Sequence, residues 1–155
     1  MNADDIAKLI PQQGRMCLLE GVERWDANAI RCFSGTHRDP RNPLRARGRL
    51  PAVCGIEYAA QAMALHGALS GAPAGRPAAG YLASVRDLVC SVERLDGTAS
   101  ELVVEAEKWM ADERHAIYRF ALWLDGSRVV SGRAAVAFDA AQGARSAKPD
   151  REALS

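Results

Sequence analysis

Histidine is scarce in this chain of 155 residues: only His37, His66 and His115 occur. Any imidazole acid–base chemistry therefore rests on three candidates. Cysteine is nearly as sparse, and Cys17, Cys32, Cys54 and Cys90 are widely spaced with no Cys-x-x-Cys pair. Zinc draws on clustered ligands of that kind, so the spacing argues against a structural zinc site. The four read as free thiols in a reducing cytoplasm, packing as small hydrophobes. Aromatic residues make up 6%, too few to interleave with basic residues as a nucleic-acid platform. Neither charge sign dominates, with 20 Lys and Arg against 19 Asp and Glu, which argues against a general nucleic-acid coat. No apolar run approaches the roughly 20 residues of a membrane span. The opening Met1-Asn2-Ala3-Asp4-Asp5 has neither the basic nor the apolar stretch of a secretion signal.

What is present is an ordinary globular composition, 48% hydrophobic and 25% charged, of single-domain length. Asp4 to Ile10 reads as a short helix, with acids at its start and Pro11 at its end. Met16 to Val22 is apolar and reads as a strand. Ala29 to Phe33 reads as a second strand, joined to the first across Asp26-Ala27-Asn28. Residues 35–50 form a loop punctuated by Pro40, Pro43 and Gly48, and it carries Arg38, Arg41, Arg45, Arg47 and Arg49. A loop of this length is often functional.

Gly55 to Leu69 is the clearest helix. It is rich in alanine, and Glu57 is its sole acid, so it is buried nearly all round. Glu57 and Gln61 stand four apart and share a face. Ser70 to Ala79 reads as a flexible exit loop. Gly80 to Leu95 reads as a strand with a bulge, and Glu101 to Met110 alternates apolar with polar. Tyr118 to Leu124 and Val129 to Phe138 flank Asp125-Gly126, a hairpin turn signal. The expected domain is residues 1–139, with 140–155 as a disordered tail. The outline is α+β, an antiparallel sheet wrapped around one long central helix. One helix cannot cover a long sheet and its edges, so a second copy is expected.

Several side chains have two readings. A charged Glu57 is costly to bury alone, so it lines a cleft or pairs with an arginine. His37 is either a base reaching the cleft or a solvated loop histidine that caps a turn or packs on Pro40. His66 reads as a satisfied core or interface histidine, and His115 as an exposed one. Trp109 and Trp123 read as core or interface anchors. The loop arginines form either a docking face for an acidic protein or phosphate, or a solvated loop paired with Asp39.

Three stretches carry a resemblance. They are Leu9-Ile10-Pro11-Gln12-Gln13-Gly14-Arg15-Met16-Cys17-Leu18-Leu19; Asn42-Pro43-Leu44 with Gly48-Arg49-Leu50-Pro51-Ala52 and Gly55-Ile56-Glu57-Tyr58-Ala59-Ala60-Gln61-Ala62-Met63-Ala64; and Gly80-Tyr81-Leu82-Ala83-Ser84-Val85-Arg86. In order and spacing, over roughly residues 5 to 138, they resemble hotdog-fold 3-hydroxyacyl-[acyl-carrier-protein] dehydratases. The nearest likeness is to the predicted dehydratases of aryl-polyene and related pigment clusters.

The resemblance implies a hotdog fold and a lyase acting in fatty-acid or polyene-type synthesis. Its substrate rides on the phosphopantetheine of an acyl carrier protein, with no metal or redox cofactor. It implies Glu57 as the helix carboxylate that helps the 3-hydroxyl leave and Gln61 as its hydrogen-bond partner. Cys54 and Gly55 would offer the helix N-terminal N–H groups to the thioester carbonyl. Arg41, Arg45, Arg47 and Arg49 would dock the carrier protein.

The family histidine does not carry over. The Pro-His of the pigment-cluster relatives is Pro11-Gln12 here, and an amide does not titrate as a base. His37 stands as the substitute base. Two alternatives follow: a catalytically weakened subunit that binds a carrier protein or an active partner, as a homodimer or heterodimer, and a hotdog acyl thioesterase.

Overall fold

The structure is a computed structural model that describes residues 1–70 and 80–138. Most of the expected exit loop and the whole of the expected tail over 140–155 lie outside the described residues.

Helix α1 (Ala3–Ala7) is shorter than the sequence suggests. Its start is set by Asn2, whose side chain accepts from the Asp5 N–H while the Asp5 carboxylate accepts from the Asn2 N–H. Ile6 and Ile10 anchor it in the core. Strands β1 (Gly21–Trp25) and β2 (Ala29–Ser34) form the expected hairpin. Helix α2 (Gly55–Ser70) follows, then β3 (Gly80–Cys90), β4 (Leu102–Ala111), β5 (His115–Leu124) and β6 (Ser127–Phe138). Every strand pairs antiparallel, in the order β1-β2-β4-β5-β6-β3.

Helix α2 lies on one face of this sheet and packs on β2, β3, β4 and β5. Tyr58, Ala59, Ala62, Met63 and Leu65 meet Leu102, Val104, Phe120 and Leu122 in one core. Burial of each large aliphatic chain contributes about 1.5–3 kcal/mol. Gly55 lets the helix start press on the sheet, since a Cβ there would sit 2.9 Å from Leu122. This is the hotdog arrangement. Asp125 (φ 52°) and Gly126 (φ 76°) are both left-handed, as a two-residue hairpin turn between β5 and β6 requires.

Two expectations need correction. Met16 to Val22 is not a strand: Gly14–Met16 is a 3₁₀ turn, and β1 begins only at Gly21. The chain between them is a strap held mostly by side chains, with one backbone bond to β2 from the Glu20 N–H to the Phe33 carbonyl at 3.0 Å. Trp109 is not in the core. It lies on the outer face of the sheet, 50% exposed, with the Arg119 guanidinium 4.1 Å above its ring. Trp123 is half-buried on the same face and donates to Glu105 Oε1 at 2.8 Å, and Glu105 also pairs with Arg31.

Candidate functional site

The strap and the first turns of α2 meet at Glu57. Gln61, one turn along the helix, is fully buried and is the clamp. Its Oε1 accepts from the Leu18 N–H at 2.9 Å, and its Nε2 donates to the Met16 carbonyl at 2.6 Å. The Leu18 carbonyl accepts in turn from Ser34 Oγ (2.6 Å) and Thr36 Oγ1 (2.8 Å). Backbone groups that a strand would have paired are thus taken by side chains from the helix and from the end of β2. That is why the apolar run from Met16 does not join the sheet.

Below this lies Tyr58. Its hydroxyl sits 2.7 Å from Thr36 Oγ1 and accepts from Asn42 Nδ2 at 3.0 Å. Burial pushes the phenol up to about 12. The hydroxyl is a fixed strut of the site floor.

Upstream of the strap, before the 3₁₀ turn, the chain reaches Glu57. Gln12 Nε2 donates to Glu57 Oε2 at 3.0 Å, and Gln61 Nε2 donates to the same oxygen at 3.0 Å. The half-buried Glu57 therefore has two amide neighbours, and no imidazole bonds it among the described residues. Its Oε1 has no protein partner among them. The Gln12 Oε1 is buried and has no partner either. An unpaired buried acceptor costs about 1–3 kcal/mol, so it is the kind of atom a ligand completes. Gln12 and Glu57 are 45 residues apart in sequence. The Pro11-Gln12 step marked a missing base, and nothing local marked Gln12 as part of the site.

His37 is not a solvated loop side chain, and among the described residues its ring makes no bond to Glu57. It is fully buried, with Nε2 2.7 Å from the Ser100 carbonyl. That carbonyl can only accept, so Nε2 carries the proton and the buried Nδ1 is left bare and unpartnered. Burial holds the imidazole below its ordinary value. His66 is the satisfied core histidine expected, with Nε2 on the Asp26 carbonyl (2.8 Å) and Nδ1 on the Tyr118 hydroxyl (2.7 Å). His115 is exposed.

At the helix start, Cys54 N–H bonds the Pro51 carbonyl at 3.0 Å and Gly55 N–H bonds Ala52 and Val53 carbonyls. Both expected thioester donors are therefore engaged in the 3₁₀ turn (Ala52–Cys54) that leads into α2. Cys54 Sγ points at the Leu44 carbonyl, 3.7 Å away, and burial raises its thiol.

The four docking arginines divide. Arg45 is structural: it reaches Asp96 at 3.2 Å and the Gly48 carbonyl at 2.6 Å. Asp96 is nearly buried. It accepts from Arg94 (2.8 Å) and from the Leu50 N–H (3.1 Å), and the Arg94 bond foremost holds its carboxyl far below the usual range. Arg41 folds back on Asp39 at 3.3 Å. Arg47 and Arg49 are exposed on a tight turn closed by Ala46–Arg49 bonds, and make no ion pair among the described residues.

Comparison with known proteins places the geometry in a family. A family model described as ApeP-like, ApeP dehydratase, matches residues 4–145. Among solved structures, the dehydratase heterocomplex ApeI:P from Xenorhabdus doucetiae is 23% identical, with 89% of this chain and 91% of that chain covered at a TM-score of 0.72. Thioesterase superfamily member 2 from zebra fish is 11% identical, covering 89% and 98%, at 0.61. A hypothetical thioesterase with coenzyme A from Streptococcus pneumoniae TIGR4 is 9% identical, covering 76% and 83%, at 0.55. At such identities the likenesses show the fold alone. A comparison with curated proteins gives no match.

Proposed function

The chain belongs to the ApeP-like dehydratase family, and from that premise we propose that it is one half of a dehydratase for 3-hydroxyacyl thioesters carried on an acyl carrier protein. It supplies the helix carboxylate Glu57 and works in a dimer with a related hotdog subunit that brings the imidazole. The carrying observation is that both donors on Glu57 Oε2 are amides, Gln12 and Gln61.

Dehydration removes a proton from C2 of the acyl chain and releases the 3-hydroxyl as water. Glu57 in its carboxylic acid form, with the proton on the open Oε1, is suited to hand that proton to the departing oxygen, and the proton taken from C2 by the base returns to Glu57 to close the cycle. Neither amide can take the C2 proton, and His37 is sealed against Ser100. The base therefore comes from the partner.

Strand β3 supports the dimer. It is an edge strand of 11 residues, with Tyr81 61% and Val89 59% exposed. A long edge with exposed apolar side chains is a template for pairing. The solved ApeI:P heterocomplex, a pairing of that protein, supports the same assembly for this chain. Carrier docking falls to Arg47 and Arg49, with Arg41 at the margin. The pathway that fits is fatty-acid or polyene-type synthesis. Among the described residues no helix is long and apolar enough to cross a membrane.

The test is product analysis on a 3-hydroxyacyl carrier protein, with the chain alone and with its hotdog partner. Enoyl thioester formed only by the pair, and lost in Glu57→Gln, is expected. Enoyl formed by the chain alone would put the base in this chain. Full activity of a Glu57→Gln pair would reduce the chain to a binding subunit. Release of free acid would favour the thioesterase reading, in which the open Glu57 Oε1 orients water.

A further inference from the structure

We propose that Gln12 is a substrate-binding residue. Its Oε1 accepts a hydrogen bond from the 3-hydroxyl of the acyl chain, so the site tells a 3-hydroxyacyl thioester from its enoyl product. The inference rests on the thioester reading above and adds which atom recognises the substrate.

The polar inventory around Glu57 carries it. Glu57 Oε2 accepts whether or not Oε1 carries the acid proton, so the Gln12 amide turns its N–H toward Oε2 and its carbonyl away. That carbonyl is buried without a partner. Gln61 donates to the same carboxylate oxygen, yet its own polar atoms are all engaged, on Met16, Leu18 and Glu57. The two glutamines are alike in chemistry and differ in completeness. Gln61 is a closed clamp. Gln12 lacks one donor on its Oε1 among the described residues, while its Nε2 is held on Glu57 Oε2.

The substrate's own groups identify that donor. The thioester carbonyl and sulfur only accept. The N–H groups of the pantetheine arm lie beyond the sulfur, away from C2 and C3. The 3-hydroxyl is the one donor on the acyl chain. Given to Gln12, its proton leaves the hydroxyl lone pairs free to face Glu57. That is the orientation in which a carboxyl proton reaches the departing oxygen. Given to Glu57 instead, it would leave the Gln12 carbonyl buried and unpaired, which disfavours binding. The enoyl product has no donor at C3. It leaves Gln12 unpaired again, and release is favoured.

The experiment is calorimetric titration of the full chain together with its hotdog partner. The probes are pantetheine ketones, in which a methylene replaces the thioester sulfur and adds no donor, carrying 3-hydroxyacyl, 3-fluoroacyl or enoyl groups. Fluorine is close to hydroxyl in size and donates nothing. Wild type is expected to bind the hydroxyl probe about tenfold more tightly than the fluoro probe. In Gln12→Met that ratio falls to about one, through loss on the hydroxyl probe with the fluoro probe unchanged. Should Gln12→Met fail to fold, Gln12→Ala carries the same comparison. A wild-type ratio near one overturns the proposal, and so does a tenfold ratio that survives in the variant. If no probe binds wild type, the thioester reading falls with it. If all bind alike, only the role of Gln12 falls.

Discussion

Helix α2 carries two polar clusters, and they differ in one respect. The cluster around His66 is closed. Its two ring nitrogens are matched by the Asp26 carbonyl and the Tyr118 hydroxyl, and the two rings pack edge to face at 5.6 Å. The cluster around Glu57 is open, with a buried Gln12 carbonyl unpaired and one carboxylate oxygen without a protein donor among the described residues. A structural cluster closes on itself, because buried polar groups without partners are destabilising. A site that will receive a ligand cannot close, because the ligand completes it. On this helix, leftover hydrogen-bonding capacity separates the proposed site from the scaffold better than burial or residue type does.

The largest effects should come from swapping the damage between the clusters. Glu57→Gln keeps an acceptor for both amides, so the melting temperature should hold. Turnover of the assembled enzyme should fall about 10²–10⁴-fold, the scale of a lost general acid. His66→Phe should do the reverse. It strands the Tyr118 hydroxyl and the Asp26 carbonyl, at about 1–3 kcal/mol each when unsatisfied, and leaves turnover per folded molecule unchanged. A Glu57→Gln enzyme with full turnover, or a His66→Phe protein as stable as wild type, breaks the comparison.

Gln61 belongs to both sides and should show both effects. Gln61→Leu removes the partners of the Met16 carbonyl and the Leu18 N–H and frees the strap that carries Gln12. Urea unfolding should register a loss of about 2–4 kcal/mol. Turnover should fall about tenfold, a factor equivalent to about 1.4 kcal/mol of transition-state stabilisation. Lost stability with full turnover would mean that the strap positions nothing.

The contrast also explains what the amino-acid pattern could reveal. Helix α2, the Asp125-Gly126 hairpin and the alternation of β4 are written in local periodicity and turn chemistry, and all three are found. The Glu57–Gln61 pair was legible because helical spacing puts residues four apart on one face. Gln12 was not legible as a partner, because its contact with Glu57 joins residues 45 apart. The strap was misread for the same reason: its apolar residues have strand character, but distant side chains claim its backbone. The core reading of Trp109 fails because alternation shows that a strand has two faces without showing which one meets the helix. His37 sits in a polar, arginine-rich stretch, and only the fold reveals that its ring is buried against Ser100.

Acid should weaken the fold through its two buried histidines. Burial holds His66 and His37 below the ordinary 6.5. Between the folded and unfolded values the unfolded chain binds protons that the folded chain excludes. The stability these residues contribute is therefore fully present above about pH 6.5 and is lost as pH falls through the folded values. Melting temperature should drop between about pH 7.5 and 5.5, with a shallower slope in His66→Phe. Gln12→Met should keep the wild-type slope. Equal slopes in wild type and His66→Phe would remove His66 from the account.

The smallest effect concerns the arginine loop, which repeats the contrast at the surface. Arg45 is closed onto Asp96 and the Gly48 carbonyl, whereas Arg47 and Arg49 point to solvent. Arg45→Met should cost about 1–2 kcal/mol, since Asp96 keeps Arg94 and the Leu50 N–H. Carrier affinity should hardly move. The double change Arg47→Glu with Arg49→Glu should leave unfolding unaltered and weaken carrier binding about three- to tenfold at low salt, because rim charges act mainly on encounter. The weakening should fade at high salt, where the screening length shrinks to about 3 Å at 1 M. A loss that persists at high salt would mean buried pairing at the interface. No loss at low salt would move the docking face elsewhere on the dimer.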